Sequence, residues 1–484
     1  LIKHTHYGFR NVEYEASKLF FKNYNIELPS VPLLHPEFQN PLFLKLFCDG
    51  LNKAGYTKIP DGINGITKIF DFFIDSINVK LSSPKYFNYS SGVNIVKKVI
   101  HQLAKYKLIN DLYYIPIDIA VKNVSDIQNT YNISGNLTDA LISEGILSKN
   151  LFWKEKGNYE EGIFISYERF EDHLVVSEIL NDISSDKISK EFEDGGALFN
   201  FIKDEYAINR HKGIIEALSI QLPEKYSIEL YQLLNDKNNY EIAEAFVSSL
   251  LWRRNDLKID EQVIEYINST VLRFQGTHDY FWDIVIAVSS NPNHFFNANK
   301  THEILSKYSL SDRDAWWTQL IHNWYRDETS VKRLIDWAWS IEDKSHISDN
   351  SIELASTMLS WFLTSSNRRL RDSSTKALIC LLENRIHITI NLLRKFENVN
   401  DPYIYERIFA VTYGCTLRTK RTGSLQELSK YIYDTIFNKE KVYSHVLLRD
   451  YARGVIEYTQ HLGVDLPFDI TKIRPPYRSD FPSI

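Results

Sequence analysis

The sequence predicts a mostly α protein with one local β segment, and three observations carry that reading. Only 18 glycines and 14 prolines occur in 484 residues, so few positions break a helix. Apolar residues recur at i, i+3, i+4 and i+7 through most of the chain. The period switches to that of strands in one region, from Leu151 to Tyr167.

Taken in order, Glu13 to Tyr24 reads as an amphipathic helix, and Pro29, Pro32 and Pro36 then force an extended connector. Asn40 suits a helix cap with Pro41 in the first turn, followed by Leu42, Leu44, Leu46 and Phe47. Pro60, Asp61 and Gly62 mark a turn. Ile66 to Leu81 is a helix, because Ile66, Ile69, Phe70, Phe73, Ile74 and Ile77 share one face. Val93 to Tyr106 follows, with Ile95, Val99 and Leu103 at helical spacing. Ile117 to Asn123 and Leu137 to Gly145 are shorter helices, the second ending on a glycine cap. Leu151 to Trp153 and Ile163 to Tyr167 predict two strands around a charged turn, Lys154 to Glu161. Three helices and then a hairpin is the order of a winged-helix domain. Asp172 to Leu180 resumes helix directly after the second strand.

Beyond about residue 190 the pattern is helical to the end, in short units with polar breaks. These are His211 to Leu218, Ser227 to Leu234, Tyr240 to Arg253, Val263 to Phe274, Ala315 to Asp327, Val331 to Glu342, Asn350 to Thr364, Ser373 to Glu383 and Ile386 to Lys395. Helix pairs at roughly 35–50-residue spacing predict an irregular α-solenoid, in which each pair buries one face on its neighbour. A non-repetitive helical domain is the alternative. The expected organisation is residues 1–58, a winged-helix domain over 59–185, and a helical-repeat arm over 186–484.

Composition narrows function. Fifty-six Lys and Arg against 62 Asp and Glu leave a net charge of −6, the wrong field for a general nucleic-acid binder. The helix that would enter a major groove, Leu137 to Gly145, carries Asp139 and Glu144 and no Lys or Arg. Cys48, Cys380 and Cys415, without a CxxC pair, read as reduced, buried thiols of a cytoplasmic protein. No apolar run approaches the ~18–20 residues that span a bilayer. The chain has no GxxxxGK[ST] phosphate loop, no GxGxxG, and no zinc-protease histidine pair, since His302-Glu303 lacks its partner. His4 and His6 are the one candidate metal pair, and no metal site is expected from them. No catalytic residue is assigned. Leu1 at the first position, with Met358 the single methionine, reads as a piece of a longer protein, and Arg474 to Arg478 reads as a connector.

Two stretches, together with the domain order, are more specific. One runs from Pro36 to Phe47 and contains Asn40-Pro41-Leu42; the other runs from Phe164 to Leu174, where the second strand enters a helix containing His173. An Asn-Pro-Leu turn shortly before a winged helix, with a histidine turn at its end, resembles the STAND NTPases of the AAA+ superfamily, most closely the bacterial antiviral (Avs-type) group. Gly213 to Glu224, Phe281 to Asp283, Arg313 to Trp316, Asn367 to Asp372, Asn400 to Arg407 and Arg449 to Arg453 resemble that group's helical region.

The resemblance implies a cytoplasmic sensor with an N-terminal effector, an ATPase core that uses ATP and Mg, and a C-terminal arm that recognises a phage protein of the terminase or portal type. Recognition would drive assembly of a homo-oligomer, a tetramer, and fire the effector. The effector and the Walker A and B segments would precede this chain, which would begin in the ATPase lid, with residues 1–58 as its end. Pro41 resembles the lid proline against the adenine or ribose; a helix-start proline is the other reading. His173 resembles a winged-helix histidine near the β-phosphate; a core histidine pinned by Asp172 is the other. Arg169 is expected to pair with Glu168, Asp172 or a phosphate. A passive protein-binding scaffold and a DNA-binding regulator are the rival functions.

Overall fold

A computed structural model describes residues 7–479 apart from 11, 54, 60–65, 155–156, 182, 255–256, 258 and 327–328. The protein is mostly α, and its described strands form one three-stranded sheet. The chain divides into two compact units, Leu1–Leu28 with Glu37–Phe281 and Pro29–Pro36 with Trp282–Ile484. The expected divisions after residues 58 and 185 both fall inside the first unit. The Pro60 to Gly62 turn lies outside the described residues.

The first unit begins with α1 (Glu13–Asn23), α2 (Pro41–Lys53), α3 (Ile66–Ser82) and α4 (Ile95–Ile109). Asn40 caps α2 as its sequence predicts: its side-chain oxygen accepts from the amides of Leu42 (3.0 Å) and Phe43 (3.4 Å). Next come β1 (Ile115–Pro116), α5 (Ile117–Thr130), α6 (Leu137–Ser143), β2 (Leu147–Trp153) and β3 (Tyr159–Ile165). The strand order is β1-β3-β2, all antiparallel, with Leu147 opposite Ile165 and Trp153 opposite Tyr159. The hairpin is therefore longer than expected: β2 starts earlier, at Leu147, and β3 is shifted toward the turn, at Tyr159–Ile165. Tyr159 to Glu161, read from sequence as turn, belong to the ladder because their charges pair across it: Lys149 meets Glu161 at 3.1 Å and Lys154 meets Glu160 at 2.7 Å. Gly162 is a close-approach position. A Cβ there would lie 2.2 Å from Tyr114, whose ring stacks on Phe152 at 3.9 Å.

After the sheet, α7 (Glu168–Asn181) is enclosed rather than amphipathic. Phe170, Glu171, His173, Leu174, Val175, Val176 and Leu180 are all buried, and α7 packs on α3, α4 and β3. The unit continues through α8 (Phe199–Ile202), α9 (Glu205–Arg210), α10 (Lys212–Tyr226), α11 (Tyr240–Ser249) and α12 (Glu261–Ser269) to α13 (Gln275–Val288), which contains the division between the units. Helix α10 also covers α7.

Helix α10 runs eight residues past the expected end at Leu218 and contains Pro223. A proline has no N–H for the carbonyl four residues earlier, here that of Ser219. Arg253 supplies the missing donor: one guanidinium nitrogen reaches the Ser219 oxygen at 2.8 Å. The same group is held by both oxygens of Glu229, at 2.6 and 2.7 Å. Ser227, at φ +57°, then ends α10 in the left-handed region, so the expected helix Ser227 to Leu234 is only a short 3-10 turn, Leu230–Leu233.

The second unit comprises α14 (Ala298–Ser306), α15 (Leu310–Asn323), α16 (Ser330–Trp339), α17 (Asp349–Phe362), α18 (Arg368–Leu382), α19 (Ile386–Phe396), α20 (Pro402–Arg418), α21 (Leu425–Ile432) and α22 (Val446–His461). Its starts follow the cap rule: Ser309, Thr329, Ser348, Asn367 and Asp401 each accept a backbone N–H of the helix that follows. Helix α17 is its core, with Met358, Leu359, Trp361 and Phe362 wholly buried and the Trp317 indole N–H donating to the Trp361 carbonyl at 3.1 Å. Arg313, also buried, donates to the carbonyls of Leu305 (3.2 Å), Tyr308 (2.7 Å) and Asn400. No helix among the described residues is long and apolar enough to cross a membrane.

The Pro223–Arg253 arrangement makes a stability prediction. Arg253→Met should destabilise the first unit by about 3 kcal/mol, because Glu229 is left buried without its partner. In a Pro223→Ala background the loss should be smaller by about 1 kcal/mol, since the new amide donates to Ser219. A double-mutant cycle in urea checks both.

Candidate functional site

The two stretches that stand out in the sequence are joined in the fold. Glu37 sits in the turn just before α2. Its carboxylate accepts from the Arg169 guanidinium at 2.8 Å and from the Tyr167 hydroxyl at 2.7 Å. A second contact is aromatic: Phe43 lies 6.3 Å from Tyr167, and Phe70 of α3 lies 5.8 Å from the same ring. Arg169 also pairs with Glu216 of α10, which in turn accepts from the Ser248 hydroxyl at 2.6 Å. The Trp252 ring covers the guanidinium at 4.8 Å. Burial opposes the charge on Arg169, but Glu216 and Glu37 outweigh it and raise the arginine above its ordinary range. Burial and Glu37 likewise raise the Tyr167 phenol, so it stays protonated as a donor.

The three residues assigned from sequence fall differently around this joint. Pro41 opens α2 and abuts Gly8, where an added Cβ would lie 3.3 Å from the proline ring. Arg169 pairs with neither Glu168 nor Asp172, contrary to expectation. Its carboxylate partners come from distant segments, so no sequence spacing announced them. His173 is buried behind Phe70, at 5.6 Å, and its carbonyl accepts from Gln221 at 2.8 Å. It is a core histidine, but Gln221 and Phe70 hold it rather than Asp172. Burial, and then Arg169, push its imidazole down to about 3, so it is neutral at physiological pH. As arranged, this donor set does not fit a nucleotide phosphate: the arginine is held by carboxylates and the histidine faces the core. No group of three or more His, Cys, Asp or Glu among the described residues is placed to hold a metal ion, and His4 and His6 lie outside those residues.

The neighbour of His173 faces the other way. Asp172 lines a cleft of about 390 Å³ between α4, α7 and the start of α10. Gly213 permits the approach, because a Cβ there would lie 1.8 Å from an Asp172 carboxylate oxygen. Burial, with Glu171 and Glu168 beside it, pushes Asp172 up to about 7. Lys107 pairs with Glu171 at 2.8 Å, and Arg210 donates to Asp111 at 3.0 Å. Sequence reasoning passed over this cleft. Gly213 beside Glu216 stood in a stretch already singled out, but only the packing of α10 on α7 gives that glycine its meaning.

Elsewhere the tryptophans and the arginine-rich segment are engaged within the fold. Trp317, Trp337 and Trp361 are buried core, while Trp339 is 41% exposed under the Lys376 ammonium. In the arginine-rich Asn367 to Asp372 segment, Arg368 pairs with Asp372 at 3.4 Å and Arg371 donates to the Ser365 carbonyl at 2.8 Å. On α6, Asp139 is exposed, and Glu144 beyond its end is tied to Lys80 at 2.5 Å. Cys48 and Cys415 are buried; Cys380 is half-buried. No family, curated protein or solved structure matches the chain at a significant level.

Asp172 and His173 have opposite pH signatures. Asp172 moves from an ordinary 3.8 up to about 7, so the folded state holds its proton and stability is lost as pH rises through that window. His173 moves from 6.5 down to about 3, so stability is lost as pH falls through that window. Asp172→Asn should gain stability over wild type progressively from about pH 4 to pH 8, and His173→Gln should flatten the loss on the acid side. Urea midpoints across pH, each variant referred to its own value at neutrality, separate the two.

Proposed function

We propose that this chain is the regulatory and sensor portion of a bacterial antiviral STAND NTPase, coupling recognition of a phage protein to ATP-dependent assembly and effector activation. The observation that carries the reading is the joint between Glu37–Phe47 and Phe164–Leu174, made by Glu37, Arg169, Tyr167 and Phe43. Two segments chosen for their likeness to one family meet through a compact polar and aromatic contact, although more than 100 residues separate them. The order α4-β1-α5-α6-β2-β3 with sheet order β1-β3-β2 supports a winged-helix reading of that region. The helices of the second unit support a repeat-like arm that binds a terminase- or portal-type protein. In this reading the protein is cytoplasmic and assembles as a homo-oligomer, ATP and Mg are held by the rest of the full-length protein, and this chain's part is to keep the joint shut until the arm is engaged.

A second reading is favoured by the burial of His173 and the double carboxylate pairing of Arg169. Both are what a helical protein-binding scaffold with no nucleotide role requires. Glu37→Gln decides between them. On the gateway reading, removing this charge loosens the joint and shifts nucleotide affinity or trigger-dependent assembly of the gene product carrying this chain by about fivefold or more. Pro41→Ala should act in the same direction. Unchanged nucleotide binding and assembly in both variants, with the fold intact, leaves the scaffold.

A further inference from the structure

The Asp172 cleft has the dimensions and lining of a ligand site that the joint does not use. Its volume of about 390 Å³ lies within the range of small-molecule pockets. Four carboxylates and two cations line it, and both cations are already paired, Lys107 with Glu171 and Arg210 with Asp111. His211, the remaining titratable base, is pushed down by burial and by Arg210, which favours its neutral form. Neither Glu168 nor Asp172 closes an ion pair among the described residues; the Lys107 charge acts on Asp172 but is spent on Glu171. The excess is negative, so an anion is disfavoured and a cation is attracted. The other walls are apolar, supplied by Leu108, Val175 and Ile214. Tyr113 also lines the cleft, with 81% of its surface exposed.

We propose that this cleft binds an alkylammonium group, the charged head between Glu168 and Asp172 and the methylenes along Leu108, Val175 and Ile214. Each part of the ligand meets matching chemistry. An ammonium gives three donors to two carboxylates that close no ion pair of their own. The Tyr113 face adds a cation–π contact at the mouth. A flexible apolar stem fills the rest. The group arrives either on a free amine or as the lysine side chain of a protein.

The test is calorimetric titration of the full chain at about pH 8, where amine and carboxylates are both charged. One arm uses cadaverine and the other N-acetyl-lysine-N-methylamide; hexanoate serves as the anionic control. Saturable binding by an amine, weakened about tenfold or more in the Asp172→Asn, Glu168→Gln double variant, supports the site. Binding of the lysine derivative alone assigns a protein source, and binding of cadaverine assigns a free amine. Tyr113→Ala, which alters only an exposed ring, should weaken binding several-fold and covers the case in which the double variant fails to fold. The proposal is overturned if neither amine saturates up to about 10 mM. It is equally overturned if the double variant binds as wild type does, or if hexanoate binds more tightly than either amine.

Discussion

The first unit depends on the enclosure of α7. A helix with neighbours on three sides cannot keep a polar face in water, so each polar residue on it must find a partner or shift its charge. Its sequence from Glu168 to His173 is nonetheless polar at almost every position. The consequences can be followed one by one. Arg169 is neutralised by two carboxylates and covered by an indole. Glu171 takes Lys107. His173 gives up its proton. Asp172 closes no ion pair and is pushed up to about 7. Four neighbouring residues thus answer the same constraint in four ways, and both the joint and the cleft follow from it.

Arginine is the recurring solution to buried polarity in this chain. Arg169 bridges two carboxylates, Arg253 replaces the donor that Pro223 lacks, and Arg313 closes three carbonyls, one at the end of α14 and two in loops. The planar guanidinium suits all three roles, since several N–H groups in a fixed fork can serve acceptors from different segments. A lysine offers a point charge and could not do so. The same property explains why an arginine in a promising stretch is a weak indicator of phosphate binding. Whether it meets a phosphate or a carboxylate depends on what folds against it.

What the sequence makes legible is local. Asn40-Pro41 announces its helix because cap and first turn are neighbours in the chain. The α3 helix and the two strands announce themselves by period. What it hides is non-local. The expected end of α10 at Leu218 falls short of Pro223, and the residue that makes this proline tolerable in the helix lies thirty positions downstream at Arg253. Tyr159 to Glu161 look like a turn because they are charged, until Lys149 and Lys154 pair with them. The candidate site divides along the same line. The stretches around Pro41 and His173 are visible in the sequence, but Glu37 and Glu216 as partners of Arg169 are not, and the cleft emerges only once α10 lies on α7.

The register of the Asp172-His173 pair bears most directly on mechanism. Successive residues on a helix point about 100° apart, so neighbours can meet different surroundings. Here the histidine is inward and the carboxylate lines the cleft. A neutral histidine behind Phe70 is a poor element for a switch working near neutral pH, because its charge does not change there. Asp172 titrates in the physiological range, lies against the backbone of α10 at Gly213, and borders an open volume. If the α7–α10 pair conveys a signal, the carboxylate is the better placed of the two to receive it. Anything that neutralises Asp172 relieves the repulsion from Glu168 and Glu171 on the same turn. Cleft and joint are then neighbours at one end of this helix pair, a single turn apart on α10 from Gly213 to Glu216.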